Sequence, residues 1–263
     1  MTAVTLIGGG KMGEALLAGL VDAGHSVVVC ETDELRAAFL RKKYGVSTGE
    51  SRTAVENADV TVIAVKPAMV RDVLELIGDA IPRESLVISI AAGVTIATLE
   101  SGLADGTAVV RAMPNTPALV GQGMTALSSG RHCAEDQLTQ AQELLGAVGK
   151  VAVVPESQQD AVTAVSGSGP AYFFYVVEAM IDAGVDLGLN PATARDLAVQ
   201  TAFGAATMLL ETGEEPGDLR DNVTSPGGTT AAALEQLDAH DVRAAFAAAL
   251  TAARQRSAQL AAE

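Results

Sequence analysis

Three glycines at fixed spacing follow the first apolar run of the chain. Val4 to Ile7 leads into Gly8-Gly9-Gly10-Lys11-Met12-Gly13, and a helical pattern opens behind it, Ala15 to Leu20. Gly8, Gly10 and Gly13 fit G-x-G-x-x-G between a strand and a helix, the pattern that holds a dinucleotide. The first glycine allows the tight turn, the second lets the backbone approach a pyrophosphate, and the third lets helix and strand pack closely. The helix start then offers free N–H groups and a positive dipole end to the phosphates. An ordinary strand-to-helix turn would share the glycines; the placement at the first strand favours the binding turn.

Further chemistry sits at later strand ends. Glu31 lies at the end of the second strand, 18 residues past Gly13. An acid there accepts hydrogen bonds from the adenine ribose hydroxyls and repels a 2′-phosphate, which favours NAD. It also suits a helix N-terminus as a dipole complement. Arg36, one turn on, keeps NADP open. Ala64-Val65-Lys66-Pro67 closes another strand on the carboxyl side of the sheet, where ligands bind in such folds. Lys66 is either a ribose or phosphate contact or a solvated loop lysine. Ala91-Ala92-Gly93 is small enough for a flat ring to come close. Met113-Pro114-Asn115-Thr116-Pro117 is a rigid turn carrying side-chain hydrogen-bonding groups.

Two more unusual segments follow: Ser166-Gly167-Ser168-Gly169-Pro170-Ala171-Tyr172, and Asp221-Asn222-Val223-Thr224-Ser225-Pro226-Gly227-Gly228-Thr229-Thr230. The second runs from a glycine turn with hydroxyls into a helix, Ala231 to Leu237, and so offers N–H groups and hydroxyls to a carboxylate. Neither segment contains His or Cys, and neither has the charge a metal needs, so no metal site is expected. His25, His132 and His240 stand outside every motif.

The elements that must position these groups are legible from periodicity. Strand runs fall at Val4–Ile7, Ser26–Cys30, Val60–Val65, Leu86–Ile90, Ala108–Met113, Met124–Leu127 and Val151–Val154, with helical patterns near 12–25, 33–43, 67–79, 95–103 and 135–147. Near-continuous apolar strands predict a mostly parallel sheet covered on both faces. This is an α/β fold with a doubly wound sheet. After Pro155 strand signals stop and helices broken by Gly and Pro take over. Asn190-Pro191 predicts a helix start and Gly213 its end; 230–238 and 241–260 read as further helices. The expected division is residues 1–157 and 158–263.

Composition bounds the rest. The 263 residues suit one or two domains, at about 100–200 residues each, and 49% are hydrophobic. No apolar stretch reaches the ~18 residues of a membrane span, and no signal peptide is expected, because the first strand already carries the glycine turn. Cys30 and Cys133 make no disulfide framework and no metal spacing, which points to the cytoplasm. Asp and Glu number 32 against 17 Lys and Arg, net −15. Such a surface repels nucleic acid and anionic membrane, and it also suits a salt-adapted protein.

With these segments in hand, the chain resembles pyrroline-5-carboxylate reductase over nearly its whole length. The carriers are G-G-G-K-M-G, V-K-P, A-A-G-V-T-I, M-P-N-T-P, S-G-S-G-P-A-Y and D-N-V-T-S-P-G-G-T-T, in the family's order and approximate spacing. The last two together are highly specific. The resemblance implies a Rossmann domain followed by an all-helical dimerisation domain. It implies reduction of 1-pyrroline-5-carboxylate to L-proline, the last step of proline biosynthesis, by NADH or NADPH, in a homodimer or a larger assembly of dimers. Carried over by position, Gly8, Gly10, Lys11, Met12 and Gly13 would hold the pyrophosphate and Glu31 the adenine ribose. Ala64, Val65, Lys66, Pro67, Ala91 and Ala92 would line the cofactor, and Asn222 would lie near the nicotinamide. Ser225, Gly227, Gly228, Thr229 and Thr230 would bind the substrate carboxylate and ring nitrogen, with Thr230 or a water delivering the proton. Glu31 departs from the family's NADP-using members, which tend to carry Ser, Asn or Arg there, and so favours NADH.

Two other readings compete. A β-hydroxyacid dehydrogenase shares the layout but uses a lysine in its helical half, and this chain has no lysine after Lys150. A non-catalytic NAD-binding regulator needs the fingerprint but not the second set of Gly- and hydroxyl-rich turns.

Overall fold

The computed structural model describes residues 1–262. The chain divides by compactness into two units, Met1–Ser168 together with the chain from Ala252 on, and Gly169–Thr251. In the first unit the order is β1 (Ala3–Ile7), α1 (Lys11–Asp22), β2 (Ser26–Cys30), α2 (Glu34–Tyr44), β3 (Ser47–Thr48), α3 (Ser51–Val55), β4 (Val60–Ile63), α4 (Val70–Ile77), β5 (Leu86–Ser89), α5 (Ile96–Ser101), β6 (Ala108–Met113), β7 (Gly123–Ser129), α6 (Glu135–Gly146), β8 (Gly149–Val153) and α7 (Gln159–Val162). A π-helical turn, Thr163–Gly167, follows α7.

The strands form one sheet in the order β3-β2-β1-β4-β5-β6-β7-β8. Neighbours run parallel, except β6 and β7, which are antiparallel. Strands β4 (VTVI) and β5 (LVIS) are buried at every residue, as expected for strands covered on both faces. Alternation then sorts side chains into two cores. Val4, Leu6, Val62, Ile88 and Val110 pack with Leu16, Leu17 and Leu20 of α1 and Leu144 and Leu145 of α6. Ile7, Ile63, Val87 and Val109 pack with Val70, Leu74 and Ile77 of α4 and Leu99 of α5. The chain reverses direction across the sheet between β1 and β4, so a crevice opens at their carboxyl ends, the expected ligand position.

The compact division falls at Ser168, later than the 157/158 division read from the sequence. The reason lies in polar side chains. Gln159 is fully buried and donates from Nε2 to Ser128 Oγ of β7 at 2.8 Å. Ser257, also buried, donates to Asp160 Oδ1 at 2.7 Å. These contacts tie α7 and the chain's last turns to the sheet unit. The short β3 and α3 were not anticipated either.

The second unit holds α8 (Gly169–Asp186), α9 (Pro191–Thr212), α10 (Pro216–Asn222), α11 (Thr229–Ala239) and the start of α12 (Val242–Ala262). Asn190 caps α9 by accepting from Thr193 N–H at 2.9 Å, and Gly213 ends it at φ 68°. Both stops match the reading of the sequence. Helices α8 and α9 come close enough that a Cβ on Gly184 would lie 3.3 Å from Ala194 Cβ. Yet Gly169, Ala194 and Ala198 are its only buried residues among those described. Phe173, Phe174, Tyr175 and Phe203 are each at least 65% exposed.

Candidate functional site

The glycine turn is built by close approach. Gly8 has φ 101°, and a Cβ there would lie 2.6 Å from Ala64 O of the chain leaving β4. A Cβ on Gly13 would lie 2.2 Å from Gly8 O, so only glycine lets α1 rest on β1. Around Gly10 the space is open. Gly10 is also the residue that starts α1, with no side-chain cap on the helix N–H groups. Open volume beside uncapped N–H groups fits a pyrophosphate. Lys11 and Met12 begin α1 directly behind it.

Glu31 of the β2–α2 connection and Arg36 of the first turn of α2 hold the peptide units of Gly9. Glu31 Oε2 accepts from Gly9 N–H at 2.8 Å, while Oε1 accepts from Asp33 N–H at 2.9 Å. Arg36 Nε donates to Gly9 O at 2.6 Å. The outer guanidinium nitrogen of Arg36 is paired with Glu14 of α1. Glu14 also accepts from Lys43 Nζ at 2.9 Å and Tyr44 Oη at 2.8 Å. Burial works against this carboxylate, but hydrogen bonds from Lys43, Arg36 and Tyr44 prevail and hold its pKa down to about 2. Glu14 is therefore charged at any working pH. Arg36 and Lys43 further face the Phe39 ring at 5.2 and 5.6 Å.

A cleft of about 290 Å³ crosses the strand ends next to the turn. Met12, Ala64, Val65, Pro67, Ala91 and Ala92 line one part, and Met113 to Thr116 and Gly167 the other. Six of the cofactor positions named from the sequence, Met12, Ala64, Val65, Pro67, Ala91 and Ala92, therefore meet here. Lys66 does not line this cleft; it borders a second pocket of about 570 Å³ with Arg71, Val94 and Thr98.

The sequence marks Asn115 as a hydrogen-bonding residue of a rigid turn, and the structure makes it a clamp. Its Oδ1 accepts from Met124 N–H at 2.8 Å, and its Nδ2 donates to Ser166 O at 3.2 Å. One side chain thus joins the Met-Pro-Asn-Thr-Pro turn, β7 and the π-helical turn. Such turns are frequent at functional sites. Gly167, in that turn, sits against Met113: a Cβ would be 2.5 Å from Met113 Cε.

The remaining positions lie in the helical unit. Asn222 ends α10, and its Nδ2 is 3.4 Å from Glu214 Oε2. Ser225-Pro226-Gly227-Gly228 is a tight turn, with Gly228 N–H donating to Ser225 O at 3.0 Å and Gly227 at φ 73°. Pro second and a positive-φ glycine third are the type II pattern. Gly228 then starts α11 with no side-chain cap, and Thr229 and Thr230 are its first two residues. An uncapped helix start flanked by hydroxyls can receive a carboxylate. His25, His132 and His240 line neither the cleft nor this turn.

Comparisons with known proteins cover nearly the whole chain. A family model described as pyrroline-5-carboxylate reductase dimerisation matches residues 156–260, and one described as NADP oxidoreductase, coenzyme F420-dependent, matches residues 3–93. The chain is 49% identical to a pyrroline-5-carboxylate reductase of Mycobacterium tuberculosis, over 99% of this chain and 97% of that one. A Corynebacterium melassecola enzyme of the same name is 47% identical over 99% of both. Among solved structures, a pyrroline-5-carboxylate reductase from Coxiella burnetii superposes with a TM-score of 0.93 at 41% identity, covering 98% of each chain. A Plasmodium falciparum pyrroline carboxylate reductase with NADP bound superposes at 0.88 with 29% identity, over 99% of this chain and 98% of that one.

Proposed function

The chain belongs to the pyrroline-5-carboxylate reductase family, and from that premise we propose which of its residues carry the reaction. It reduces 1-pyrroline-5-carboxylate to L-proline with a nicotinamide cofactor, the last step of proline biosynthesis, and it assembles as a homodimer through its helical domain. The observation that carries the site assignment is the cleft across the carboxyl ends of β4, β5 and β6, with Ala64, Ala91 and Ala92 in its wall, beside the open glycine turn that follows β1.

In this reading Gly8, Gly10, Lys11, Met12 and Gly13 hold the pyrophosphate. Ala64, Val65, Pro67, Ala91 and Ala92 wall the nicotinamide, and Lys66, from the same loop but outside the cleft, reaches a ribose or phosphate of the cofactor. Asn222 lies near the ring. Ser225, Gly227, Gly228, Thr229 and Thr230 bind the substrate carboxylate and nitrogen. When bound, the reduced nicotinamide supplies a hydride to the imine carbon. The chain's own task is positioning, because a protonated imine is already electrophilic and needs no strong acid. Thr230 holds the ring nitrogen; a hydroxyl both donates and accepts, so it serves either protonation state. The functional division is at 157/158, supported by the start of the dimerisation match at residue 156. A cytoplasmic location and further association of dimers complete the proposal; among the described residues no helix is long and apolar enough to cross a membrane.

Glu31 makes NADH the better donor. Its carboxylate stands on Gly9 N–H at the end of β2, where a 2′-phosphate would meet like charge. Steady-state kinetics with each cofactor test both points. NADH oxidation should require pyrroline-5-carboxylate and yield L-proline, and Glu31→Ser should shift preference toward NADPH. Turnover of 3-hydroxy acids with none of the imine would sink the reaction assignment. A wild type that already prefers NADPH by a wide margin would sink the role of Glu31.

A further inference from the structure

We propose that Glu14 is a positioning residue for cofactor choice: it holds Arg36 on the glycine turn and so denies a 2′-phosphate its cation. The inference rests on the reading that the adenine ribose lies at Glu31. Glu31 and Arg36 grip the two peptide units of the same residue, one on Gly9 N–H and one on Gly9 O. Arg36 is therefore a cation beside the ribose acceptor, and an arginine so placed is what usually accommodates a 2′-phosphate.

Here it is engaged on three sides. Nε is spent on Gly9 O at 2.6 Å, the outer nitrogen on the Glu14 carboxylate, and the face of the group on Phe39 at 5.2 Å. Glu14 cannot follow if Arg36 swings away. Its side chain is 15% exposed, and its other oxygen is held by Lys43 at 2.9 Å and Tyr44 at 2.8 Å. A phosphate must then share the guanidinium with a fixed, partly buried carboxylate that offsets its charge and pins it to the glycine turn. Glu31 repels the phosphate, and Glu14 withholds the group that would offset the repulsion.

Removing Glu14 also removes a negative charge close to the pyrophosphate, which strengthens NADH and NADPH alike. The readout is therefore the ratio of the two cofactors and not either affinity alone. The full-length enzyme is measured as kcat/KM for NADPH and NADH with pyrroline-5-carboxylate, and as Kd for NADP⁺ and NAD⁺ by calorimetry. Glu14→Ala should raise the NADPH:NADH ratio about tenfold, the scale of one charge-assisted hydrogen bond gained. Glu14→Gln, which keeps the volume, should move it in the same direction and guards against a folding defect. Arg36→Leu alone should leave the ratio at the wild-type value, and added to Glu14→Ala it should erase the gain. An unchanged ratio in folded Glu14→Ala and Glu14→Gln overturns the proposal. So does a gain that survives Arg36→Leu, or an Arg36→Leu variant that loses NADPH by itself. Failure of the Glu31 reading has a separate signature, a Glu31→Ser variant whose ratio equals that of the wild type.

Discussion

Thr230 is the second residue of α11, behind a glycine that offers no side chain to the helix start. Its hydroxyl could have been a cap, whose loss costs about 0.5–2 kcal/mol. In the structure the cap position belongs to Gly228, and no side-chain cap bond is made. Thr230→Ala should therefore leave the melting temperature nearly unchanged. It should lower imine turnover much more than it weakens NADH binding, and Thr230→Ser should retain most activity. Turnover, NADH titration and a thermal melt on the same preparations check this. A Thr230→Ala protein that melts early yet turns over the imine at the wild-type rate would make the residue only a structural hydroxyl.

At the scale of elements, the β1–α1 turn separates folding from binding within six residues. A Cβ on Gly13 would lie 2.2 Å from Gly8 O, whereas one on Gly10 meets nothing within 4 Å. Gly13→Ala must lift α1 off β1, an overpacking of the kind that costs about 1–3 kcal/mol. Gly10→Ala fits the fold, at φ −62°, but puts a methyl where the phosphates approach. Gly13→Ala should thus melt lower, and Gly10→Ala should bind NADH more weakly at nearly the wild-type melting temperature. Paired melts and titrations decide; equal melting losses in both would mean that Gly10 is only a fold residue.

For the whole molecule, the helical unit sets the assembly. Helices α8, α9, α10 and α11 bury little within one chain, and Phe173, Phe174, Tyr175 and Leu187 stand at least 67% exposed. Exposed aromatic side chains grouped in this way mark an interaction surface. Obligate dimers of this kind bury upward of about 2,000 Å², so dimer and folded helical unit should be lost together on dilution or in denaturant. Light scattering at working concentration should show no monomer; a stable folded monomer would refute the link.

The local sequence determined the element types, the order of the strands along the chain and the stops of α9, because those signals act within a few residues. An apolar run such as Val60–Ile63 reports its own burial. Asn190 and Gly213 cap by contacts or dihedrals of their immediate neighbours. The glycine turn and the Ser225–Gly228 turn were legible for the same reason. Tertiary structure alone decided what joins residues far apart. Arg36 meets Glu14 across 22 positions, Asn115 meets Ser166 across 51, and Ser257 meets Asp160 across 97. Asn115 and Ser166 stand in motifs, but nothing local in either motif names the other as its partner; the remaining four side chains carry no periodic or motif signal. Each looks like a surface residue until the sheet brings its partner within hydrogen-bond distance, and that is why the clamp at Asn115, the hold on Arg36 and the compact division at Ser168 emerge only in the folded chain.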